Sequence, residues 1–299
     1  MSGAAHVPAE GQPLALQQAA AIGGRLAALR ASLGERAPAE ATFWNLWLFR
    51  EAHGYRYHPG PLPCIAGNAY DETQVLLPLF DLAGAPREPL GVLQGERSWF
   101  YPVPEPVLAQ FDPAGIEARA LPEDSDYLYG AAAFIDYAAP GLASKQAAVE
   151  RLHASGRIDV QSLDRATEAG ALAVLEGWCK HRGWPANGAD APACREALGL
   201  IGTEPAWRGF LHTVDGVPAG FVIGEDLNPG VLAVRFAKGL PEFDGIYPQL
   251  FQDLARRLVP GVRWFNFEQD LGRENFRRSK QSYRPVALLA KYRVRFRNR

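Results

Sequence analysis

The stretch Trp264-Phe-Asn-Phe-Glu-Gln-Asp-Leu-Gly-Arg-Glu-Asn-Phe-Arg-Arg-Ser-Lys-Gln-Ser-Tyr-Arg-Pro285 carries the most informative pattern in this chain. It opens with the bulky residues Trp264, Phe265 and Phe267, which are typical of a half-buried β-strand. Gly272 breaks that strand, and a polar, cationic segment follows it. The stretch therefore predicts a short strand that ends in a polar region.

Three polar residues, Asn266, Glu268 and Asp270, follow at a period of two, so the pattern predicts that they share one strand face. Polar groups on such a face are costly in a core unless each has a partner. Cations crowd the next dozen residues, namely Arg277, Arg278 and Lys280. A carboxylate pair beside a cluster of cations suits a substrate that carries both an ammonium group and phosphates.

Two motifs in this stretch, Asn266-x-Glu-Gln-Asp-Leu-Gly272 and Arg278-x-Lys280-x-Ser-Tyr-x-Pro285, resemble the closing motif of the soluble C-terminal domain of phosphatidylglycerol lysyltransferases. That domain also occurs alone in bacteria and is related to the Fem-type aminoacyltransferases. The resemblance covers most of the chain from about Ala41 onward and is most specific at 264–285. It implies two tandem acetyltransferase-like (GNAT-type) folds and the transfer of an aminoacyl group from a charged tRNA.

Our hypothesis for the site divides these residues by charge. A carboxylate is the natural partner of an aminoacyl ammonium, so Glu268 and Asp270 are expected to meet the aminoacyl group. Lys and Arg seat phosphates, so Arg278 and Lys280 are expected to contact the tRNA end or stabilise developing negative charge. Asn266 either orients a carboxylate or donates to the ester carbonyl. From spacing alone, the alternative is that these acids and cations pair with one another.

The predicted catalytic residues are Glu268, Asp270 and Lys280. The predicted substrate-binding residues are Asn266, Arg277, Arg278, Tyr283, Tyr247 and Lys238. The two tyrosines flank the motif, and each either stacks on the terminal adenosine of a tRNA or covers the core. No Ser-His-Asp or Cys-His pattern indicates a covalent nucleophile, and no residue is indicated as the general base.

Coenzyme A is not expected as a cofactor. Acetyltransferases bind its pyrophosphate on a glycine-rich loop at a helix N-terminus, where backbone N–H groups face the phosphates. The corresponding segment here, 238–248, has no Gly-x-Gly cluster, and Glu242 and Asp244 would repel a pyrophosphate. We therefore expect no cofactor, with charged tRNA as the co-substrate.

The function predicted from these features is aminoacyl transfer from a charged tRNA to an amine or hydroxyl acceptor, which is a small molecule, a lipid head group or a peptide. Two alternatives stay open. One is a coenzyme A-dependent N-acyltransferase, which an anion cradled by the 239–247 turn would favour. The other is a non-catalytic binding module that keeps the same fold.

The charge of the chain is uneven. The formal net charge of the 299 residues is −2, yet ten Lys or Arg residues and one acid, Glu274, fall within 273–299. This basic end indicates a local polyanion contact, or else a solvated surface. Cations alternate with other residues at 291–297, which predicts a last strand whose cationic face is either a phosphate track or a solvated edge.

The remaining composition favours a cytoplasmic protein. The cysteines, Cys64, Cys179 and Cys194, are too widely spaced for a disulfide framework or a metal pair, and the histidines form no HxxxH pair, so no metal site is predicted. No signal-peptide pattern and no run of about 18 apolar residues occurs, so no integral membrane segment is expected. The lipid lysyltransferases that the chain resembles carry a large membrane domain before this one.

The order of predicted elements fixes the expected architecture. In the second half, a hairpin turn at Asp215-Gly216 joins two strands, followed by a strand, a helix and a strand, at 207–214, 218–225, 231–238, 249–258 and from 264. Helices are also predicted at 13–33, 145–153 and 162–182, with a linker at 138–142. We predict an α+β fold with mixed sheets flanked by helices. Its parts are a tail and helix (1–34) and two GNAT-like domains (35–140 and 141–299).

Overall fold

The computed structural model of the chain describes residues 11–96, 98–185 and 190–297. In the described chain, the strands are β1 (Gln12–Pro13), β2 (Arg56–His58), β3 (Cys64–Asn68), β4 (Gln74–Pro78), β5 (Trp99–Pro104), β6 (Ile116–Ala120), β7 (Asp126–Gly130), β8 (Ile158–Ser162), β9 (Trp207–Val214), β10 (Val217–Asn228), β11 (Val231–Gly239), β12 (Trp264–Asn266), β13 (Ala287–Leu289) and β14 (Lys291–Phe296). The α-helices are α1 (Ala19–Ala31), α2 (Phe43–Leu48), α3 (Arg50–His53), α4 (Arg87–Gln94), α5 (Glu105–Leu108), α6 (Ala143–Ser155), α7 (Glu168–His181), α8 (Ala191–Leu200), α9 (Ile246–Leu258) and α10 (Glu274–Gln281).

The chain divides into two compact units, and it crosses between them more than once. The first unit combines Met1–Asp126 with Gln269–Glu274 and Leu288–Arg299, and the second combines Tyr127–Glu268 with Asn275–Ala287. This division differs from the predicted boundary between residues 140 and 141. The reason is long-range pairing, because β14, at the end of the sequence, forms its ladders with β5 and β6 of the first unit.

The first unit is built on a mixed sheet with the strand order β1-β2-β3-β4-β5-β14-β6. Its β4 and β5 run parallel, whereas β14 is antiparallel to both of its neighbours. Phe100 and Val294 are fully buried in one core cluster. A second cluster joins Ile22 and Leu26 of α1 to Leu46 of α2. Helices therefore cover the apolar side chains that these strands present.

In the second unit, strands of the sheet follow the order β7-β12-β11-β10-β9-β8. The predicted hairpin is confirmed, since β9 and β10 pair around Asp215 and Gly216, both with positive φ. The chain then continues through β11 and α9 to β12, which runs parallel to β11. This reproduces the predicted order of strands and helix. Phe134, Phe265 and Leu250 are fully buried in the core of this unit.

Helix α7 begins later than predicted. The sequence favours a helix from residue 162, but residues 158–162 form the strand β8 instead. Asp164 then makes a turn in which its Oδ1 accepts hydrogen bonds from the N–H groups of Ala166 and Thr167, at 2.8 and 3.1 Å. A short polar side chain that bonds to the backbone two or three residues later competes with helix formation, which explains the later start.

The predicted α+β fold with mixed sheets flanked by helices is confirmed in both units. The predicted last strand is also present as β14, but neither interpretation of its cationic face holds for Arg293. That residue lies in an interior strand and bonds to Asp71 and Asp124 at 2.5 and 3.0 Å. Arg295 pairs with Glu117 at 2.7 Å. These cations are therefore matched by acids within their own unit.

Candidate functional site

The predicted alternation of polar residues after Trp264 breaks down at Glu268. β12 ends at Asn266, and Glu268 adopts a left-handed backbone conformation with a φ of 58°. Asn266 and Asp270 are consequently buried, at 0% and 1% exposure, while the Glu268 side chain is 23% exposed. The prediction that the three share one strand face is therefore wrong, and Glu268 is the one whose side chain is partly exposed.

The backbone of Glu268 is held on both sides. Its N–H donates to Oδ1 of Asn266 at 2.8 Å, and its carbonyl accepts from the N–H of Tyr127 at 3.2 Å. Lys280 donates from Nζ to the same carbonyl at 3.1 Å and to that of Phe267 at 2.5 Å. A left-handed non-glycine residue costs about 1–3 kcal/mol, and such outliers concentrate at functional sites. Asn266 and Lys280 therefore position Glu268.

The side chain of Glu268 is held by a buried arginine. Arg235, on β11, donates from Nη1 to Oε1 of Glu268 at 2.5 Å and from Nε to Oε2 of Glu225 at 2.8 Å. Burial would lower the pKa of Arg235, but the carboxylates of Glu225 and Glu268 raise it above its usual range, so the guanidinium keeps its charge. The carboxylate of Glu268 therefore pairs with Arg235, and not with Arg278 or Lys280.

Arg235 reaches both acids because the β10–β11 ladder is irregular at this point. Ile223 pairs with Phe236 but Gly224 pairs with Val234, so Arg235 is the extra residue at this shift of the register. An extra residue of this kind forms a β-bulge, which bends the strand and redirects its side chain. The bulge places the guanidinium between an acid on the neighbouring strand and an acid that follows β12.

This triad, defined as Glu225, Arg235 and Glu268, carries one formal negative charge in excess. Arg235 is 1% exposed and Glu225 is 3% exposed, so both are closed to solvent. Among the residues that the structure describes, Oε2 of Glu268 has no hydrogen-bond partner. The triad can thus accept a hydrogen bond from an incoming cation at a carboxylate whose position is already fixed.

Sequence reasoning found Glu268 but missed Arg235 and Glu225. One signal was available, because Arg235 interrupts the apolar run Val231-Leu-Ala-Val-Arg-Phe-Ala237. A charge at the centre of an apolar strand is expected to be paired if it is buried. The identity of the partner was not readable, since it depends on the bulge and on a residue 33 positions away.

Asp270 lies in the first unit, where it accepts hydrogen bonds from the backbone of the turn that follows it. Its Oδ1 accepts from the N–H of Gly272 at 2.9 Å, and its backbone carbonyl accepts from the N–H of Arg273 at 3.0 Å. Gly272 has a φ of 69°, which favours glycine at this position. These contacts account for a buried carboxylate without a substrate, and the assignment of Asp270 to the aminoacyl group stays a prediction.

Two of the predicted substrate-binding cations lie together on α10. Arg278 is exposed and Arg277 is partly exposed. Both make contacts within the protein. Their roles at the tRNA end stay predictions.

Lys238 is already engaged in an ion pair. Its Nζ lies 2.7 and 2.8 Å from the carboxylate oxygens of Asp190 and 3.9 Å from the centre of the Trp178 ring. With 4% of its surface exposed, it would have to break this pair to reach a substrate. The contacts indicate a structural role.

The two predicted stacking tyrosines have different environments. Tyr283 is 4% exposed, and its ring stacks on Phe134 with a centroid distance of 5.6 Å. Burial raises its pKa above the usual range. The core interpretation therefore fits Tyr283, and a stacked adenosine does not. Tyr247 is partly exposed and lines a cleft of about 360 Å³.

Residues 11–96, 98–185 and 190–297 contain no group of three or more His, Cys, Asp or Glu side chains placed to hold a metal ion. Within the same ranges, no helix combines the length and the hydropathy that crossing a bilayer requires.

Comparison with solved structures places the fold among known ones. A conserved protein of unknown function from Bacteroides thetaiotaomicron has a TM-score of 0.82 and 19% identity, covering 97% of this chain and 100% of that one. The C-terminal domain of a putative lysylphosphatidylglycerol synthetase from Agrobacterium fabrum has a TM-score of 0.61 and 13% identity, covering 92% and 91%. FemX has a TM-score of 0.60 and 9% identity, covering 97% and 98%. At these identities the likeness shows the fold.

The family is established by the sequence match. No curated protein matches the sequence. The family model described as "Phosphatidylglycerol lysyltransferase, C-terminal" matches residues 31–295, which is most of the chain. The chain therefore belongs to the family of phosphatidylglycerol lysyltransferase C-terminal domains.

Proposed function

We propose that this protein is an acyltransferase that moves an aminoacyl group from a charged tRNA to an amine or hydroxyl acceptor. Membership of a lysyltransferase family and a fold shared with FemX support acyl transfer. The observation that carries the proposal is the carboxylate of Glu268: Arg235 holds one oxygen, the other has no hydrogen-bond partner among the described residues, and the side chain is 23% exposed. Charged tRNA is a cytoplasmic substrate, so we propose a cytoplasmic location.

The reaction needs little chemistry from the protein, because the aminoacyl ester is already activated. The acceptor's amine or hydroxyl attacks the ester carbonyl, a new amide or ester bond forms, and the bond to the ribose oxygen of the tRNA breaks. The acceptor loses a proton and the ribose oxygen gains one, so the step balances. Holding the reactants in place contributes up to about 7–11 kcal/mol to such a step.

In this proposal Glu268 binds the ammonium group of the aminoacyl moiety. Hydrogen bonds that involve a charged partner contribute about 1.5–3 kcal/mol each. Asn266 and Lys280 hold the backbone of Glu268, so they act as positioning residues. A preorganised carboxylate needs no rearrangement when the substrate arrives, and this makes its contribution larger than that of a mobile surface acid.

The coenzyme A alternative has weak support at the N-terminus of α9. The N–H of Ile246 is already bonded to the carbonyl of Phe243, and Pro248 has no N–H to offer. The α6 backbone also approaches Gly245 so closely that a Cβ there would lie 2.1 Å from the carbonyl oxygen of Ala148. A pyrophosphate cradle needs several free N–H groups, so these contacts favour aminoacyl-tRNA as the donor.

The proposal is tested by incubating the protein with a panel of radiolabelled aminoacyl-tRNAs and candidate acceptors. RNase-resistant label is then scored on extracted small molecules, lipids and peptides. We expect label from at least one charged tRNA, and none when that tRNA is deacylated. Binding of charged tRNA without any labelled product would favour the non-catalytic module. Label from acyl-coenzyme A in place of charged tRNA would favour the N-acyltransferase.

A further inference from the structure

Strand β7 presents two tyrosines beside the segment that carries Glu268. Tyr127 and Tyr129 are two residues apart, so both side chains lie on the same face of the strand. Both are buried, at 2% and 1% exposure. The strand runs antiparallel to β12, with Tyr129 opposite Phe265. Both tyrosines are therefore neighbours of the residues that lead into Glu268.

The first of these tyrosines holds Glu268 directly, through its backbone. The N–H of Tyr127 donates to the carbonyl of Glu268 at 3.2 Å, and the carbonyl of Tyr127 accepts from the N–H of Phe267 at 2.9 Å. These two bonds lie beyond the end of β12 at Asn266. The left-handed residue Glu268 is thus tied to β7 by main-chain contacts, which do not depend on the side chain at position 127.

The second tyrosine contacts the helix that carries Lys280. The hydroxyl of Tyr129 donates to the backbone carbonyl of Lys280 at 2.7 Å. Lys280 lies in the last turn of α10, where the carbonyl groups have no partner inside the helix. The same carbonyl also accepts from the N–H of Tyr283 at 3.1 Å. The hydroxyl of Tyr129 therefore joins the end of α10 to β7.

The ammonium group of Lys280 links this helix end to Glu268. It donates to the carbonyls of Phe267 and Glu268 at 2.5 and 3.1 Å, and it lies 5.6 Å from the centre of the Tyr127 ring. A cation over an aromatic face is attracted by the ring. Because the backbone of Lys280 is held by Tyr129, a shift of that backbone would move the ammonium group away from Glu268.

The ring and the hydroxyl of Tyr129 have separate roles. The ring packs in the core, with its centre 4.6 Å from that of Phe267 and 5.6 Å from that of Phe134. Burial raises the pKa of the hydroxyl above its usual range, so the group stays a neutral donor. A buried hydroxyl is normally hydrogen-bonded, and its acceptor here is the carbonyl of Lys280. A phenylalanine would keep the packing and remove the contact with α10.

Another tyrosine of the same core makes the same kind of bond to a different helix. The hydroxyl of Tyr137 donates to the carbonyl of Pro248, on α9, at 2.7 Å, and Tyr137 is also 1% exposed. Its ring centre lies 5.8 Å from that of Phe134. Tyr137 therefore matches Tyr129 in burial, bond length and ring neighbour, but its hydroxyl holds α9 instead of α10.

We propose that Tyr129 is a positioning residue of the candidate site, whose hydroxyl fixes Glu268 through Lys280. This inference rests on the proposed function, because it concerns how the acid that meets the aminoacyl ammonium is held. Tyr129 does not touch the substrate. It acts by restricting the backbone of Lys280, and Lys280 in turn restricts the backbone of Glu268.

The test compares Tyr129→Phe with Tyr137→Phe, since each keeps the ring and removes one buried hydroxyl. Isothermal titration calorimetry on the full chain measures the affinity of an aminoacyl-adenosine analogue and that of its hydroxy-acid counterpart. We expect Tyr129→Phe to lower the preference for the ammonium compound about three- to tenfold, the range of one hydrogen bond, and Tyr137→Phe to leave it unchanged. The urea midpoints of the two variants should fall by similar amounts. Equal preferences in the two variants would overturn the proposal.

A double-mutant cycle tests whether the effect passes through Lys280. In Lys280→Met the side chain no longer donates to the carbonyl of Glu268, so adding Tyr129→Phe should change the preference by less than about twofold. The full effect of Tyr129→Phe in that background would show that its hydroxyl acts by another route, and would contradict the assignment.

Hydrogen exchange provides a readout that does not depend on activity. The N–H of Glu268 is bonded to Oδ1 of Asn266, and the N–H of Tyr127 is bonded to the carbonyl of Glu268, so both amides report the local order of this residue. We expect Tyr129→Phe to speed exchange at both amides about three- to tenfold, and Tyr137→Phe to leave their rates unchanged.

These outcomes separate the positioning role from the proposed function. If the wild-type protein transfers label from charged tRNA but the two tyrosine variants bind and exchange alike, the positioning role fails and the transferase stands. If Tyr129→Phe speeds exchange at Glu268 and Tyr137→Phe does not, but the wild-type protein transfers nothing, the positioning role stands and the transferase fails.

Discussion

Each unit of this protein buries a cation between two carboxylates, and the two clusters differ in how they meet solvent. In the first unit, Lys291 bonds to Glu40 and Asp126, with exposures of 1% for Lys291, 13% for Glu40 and 0% for Asp126. In the second, Arg235 bonds to Glu225 and Glu268, and Glu268 is 23% exposed. In the described residues, each cluster has a carboxylate oxygen without a hydrogen-bond partner, but Oε2 of Glu40 is buried, whereas Oε2 of Glu268 belongs to the more exposed side chain.

In the closed cluster of Lys291, Glu40 and Asp126, burial and the nearby charges determine the protonation of Glu40. Lys291 also donates to Oε1 of Gln269, so its ammonium group is shared among several acceptors in the described chain. Burial raises the pKa of Glu40 to about 7, against the lowering effect of Lys291, and the neighbouring Asp126 raises it further. Two carboxylates share one ammonium group here, so the repulsion between them favours a proton on Glu40. The comparison teaches that a buried ion cluster indicates a substrate site only where a charged group stays accessible.

The largest expected effect is on the closed cluster. Lys291→Met leaves Glu40 and Asp126 without their cation, and breaking a buried pair from one side costs about 3–5 kcal/mol. The free energy of unfolding, measured by urea titration, should fall by that amount. Lys180→Met is the control, and it should change the value by less than about 0.5 kcal/mol because Lys180 is exposed. A loss below about 1 kcal/mol for Lys291→Met would contradict a structural role for this cluster.

The open cluster should respond in activity instead of stability. Glu268→Gln removes the charge that meets the aminoacyl ammonium, while Arg235 keeps its bond to Glu225. We expect transfer from charged tRNA to fall about 10- to 150-fold, which corresponds to about 1.5–3 kcal/mol. The control is Glu176→Gln, an exposed acid on α7 of the same unit. Equal rates for the two variants would remove Glu268 from the site.

A smaller effect is expected in the pH dependence of stability. The folded-state pKa of Glu40 is about 7, above its ordinary value of 4.5. Between pH 4.5 and pH 7, Glu40 is therefore protonated in the folded state but ionised in the unfolded state. Its contribution is fully present below about pH 4.5 and is lost as the pH rises to 7. Relative to Glu40→Gln, the wild-type free energy of unfolding should fall by an amount on the order of 2 kcal/mol across this range. Parallel profiles would contradict the raised pKa.

The sequence was informative wherever a local pattern determined the structure. The hairpin at Asp215-Gly216 and the helix before β12 follow from turn residues and periodicity, and both are present. The unit boundary was not readable, because β14 inserts between β5 and β6, far from them in sequence. No local pattern records a pairing over such a distance.

The candidate site could be predicted only in part, because local patterns indicate single residues but not their long-range partners. The charge pattern singled out Glu268, but its fixing by Arg235 depends on a β-bulge that has no sequence signature here. The pairing of Lys238 with Asp190 and the burial of Tyr283 against Phe134 also join distant segments. The side chains of Lys238 and Tyr283 are chemically suited to bind a substrate, but in the fold one forms an ion pair and the other packs in the core.

The central claim is that the open oxygen of Glu268 binds the ammonium group of the substrate. The most direct test compares inhibition of transfer by an aminoacyl-adenosine analogue with inhibition by its hydroxy-acid counterpart, in the wild-type protein and in Glu268→Gln. The wild-type protein should prefer the ammonium compound by about tenfold or more, in line with a charge-assisted hydrogen bond, and Glu268→Gln should lose that preference. The same preference in both proteins would contradict the claim.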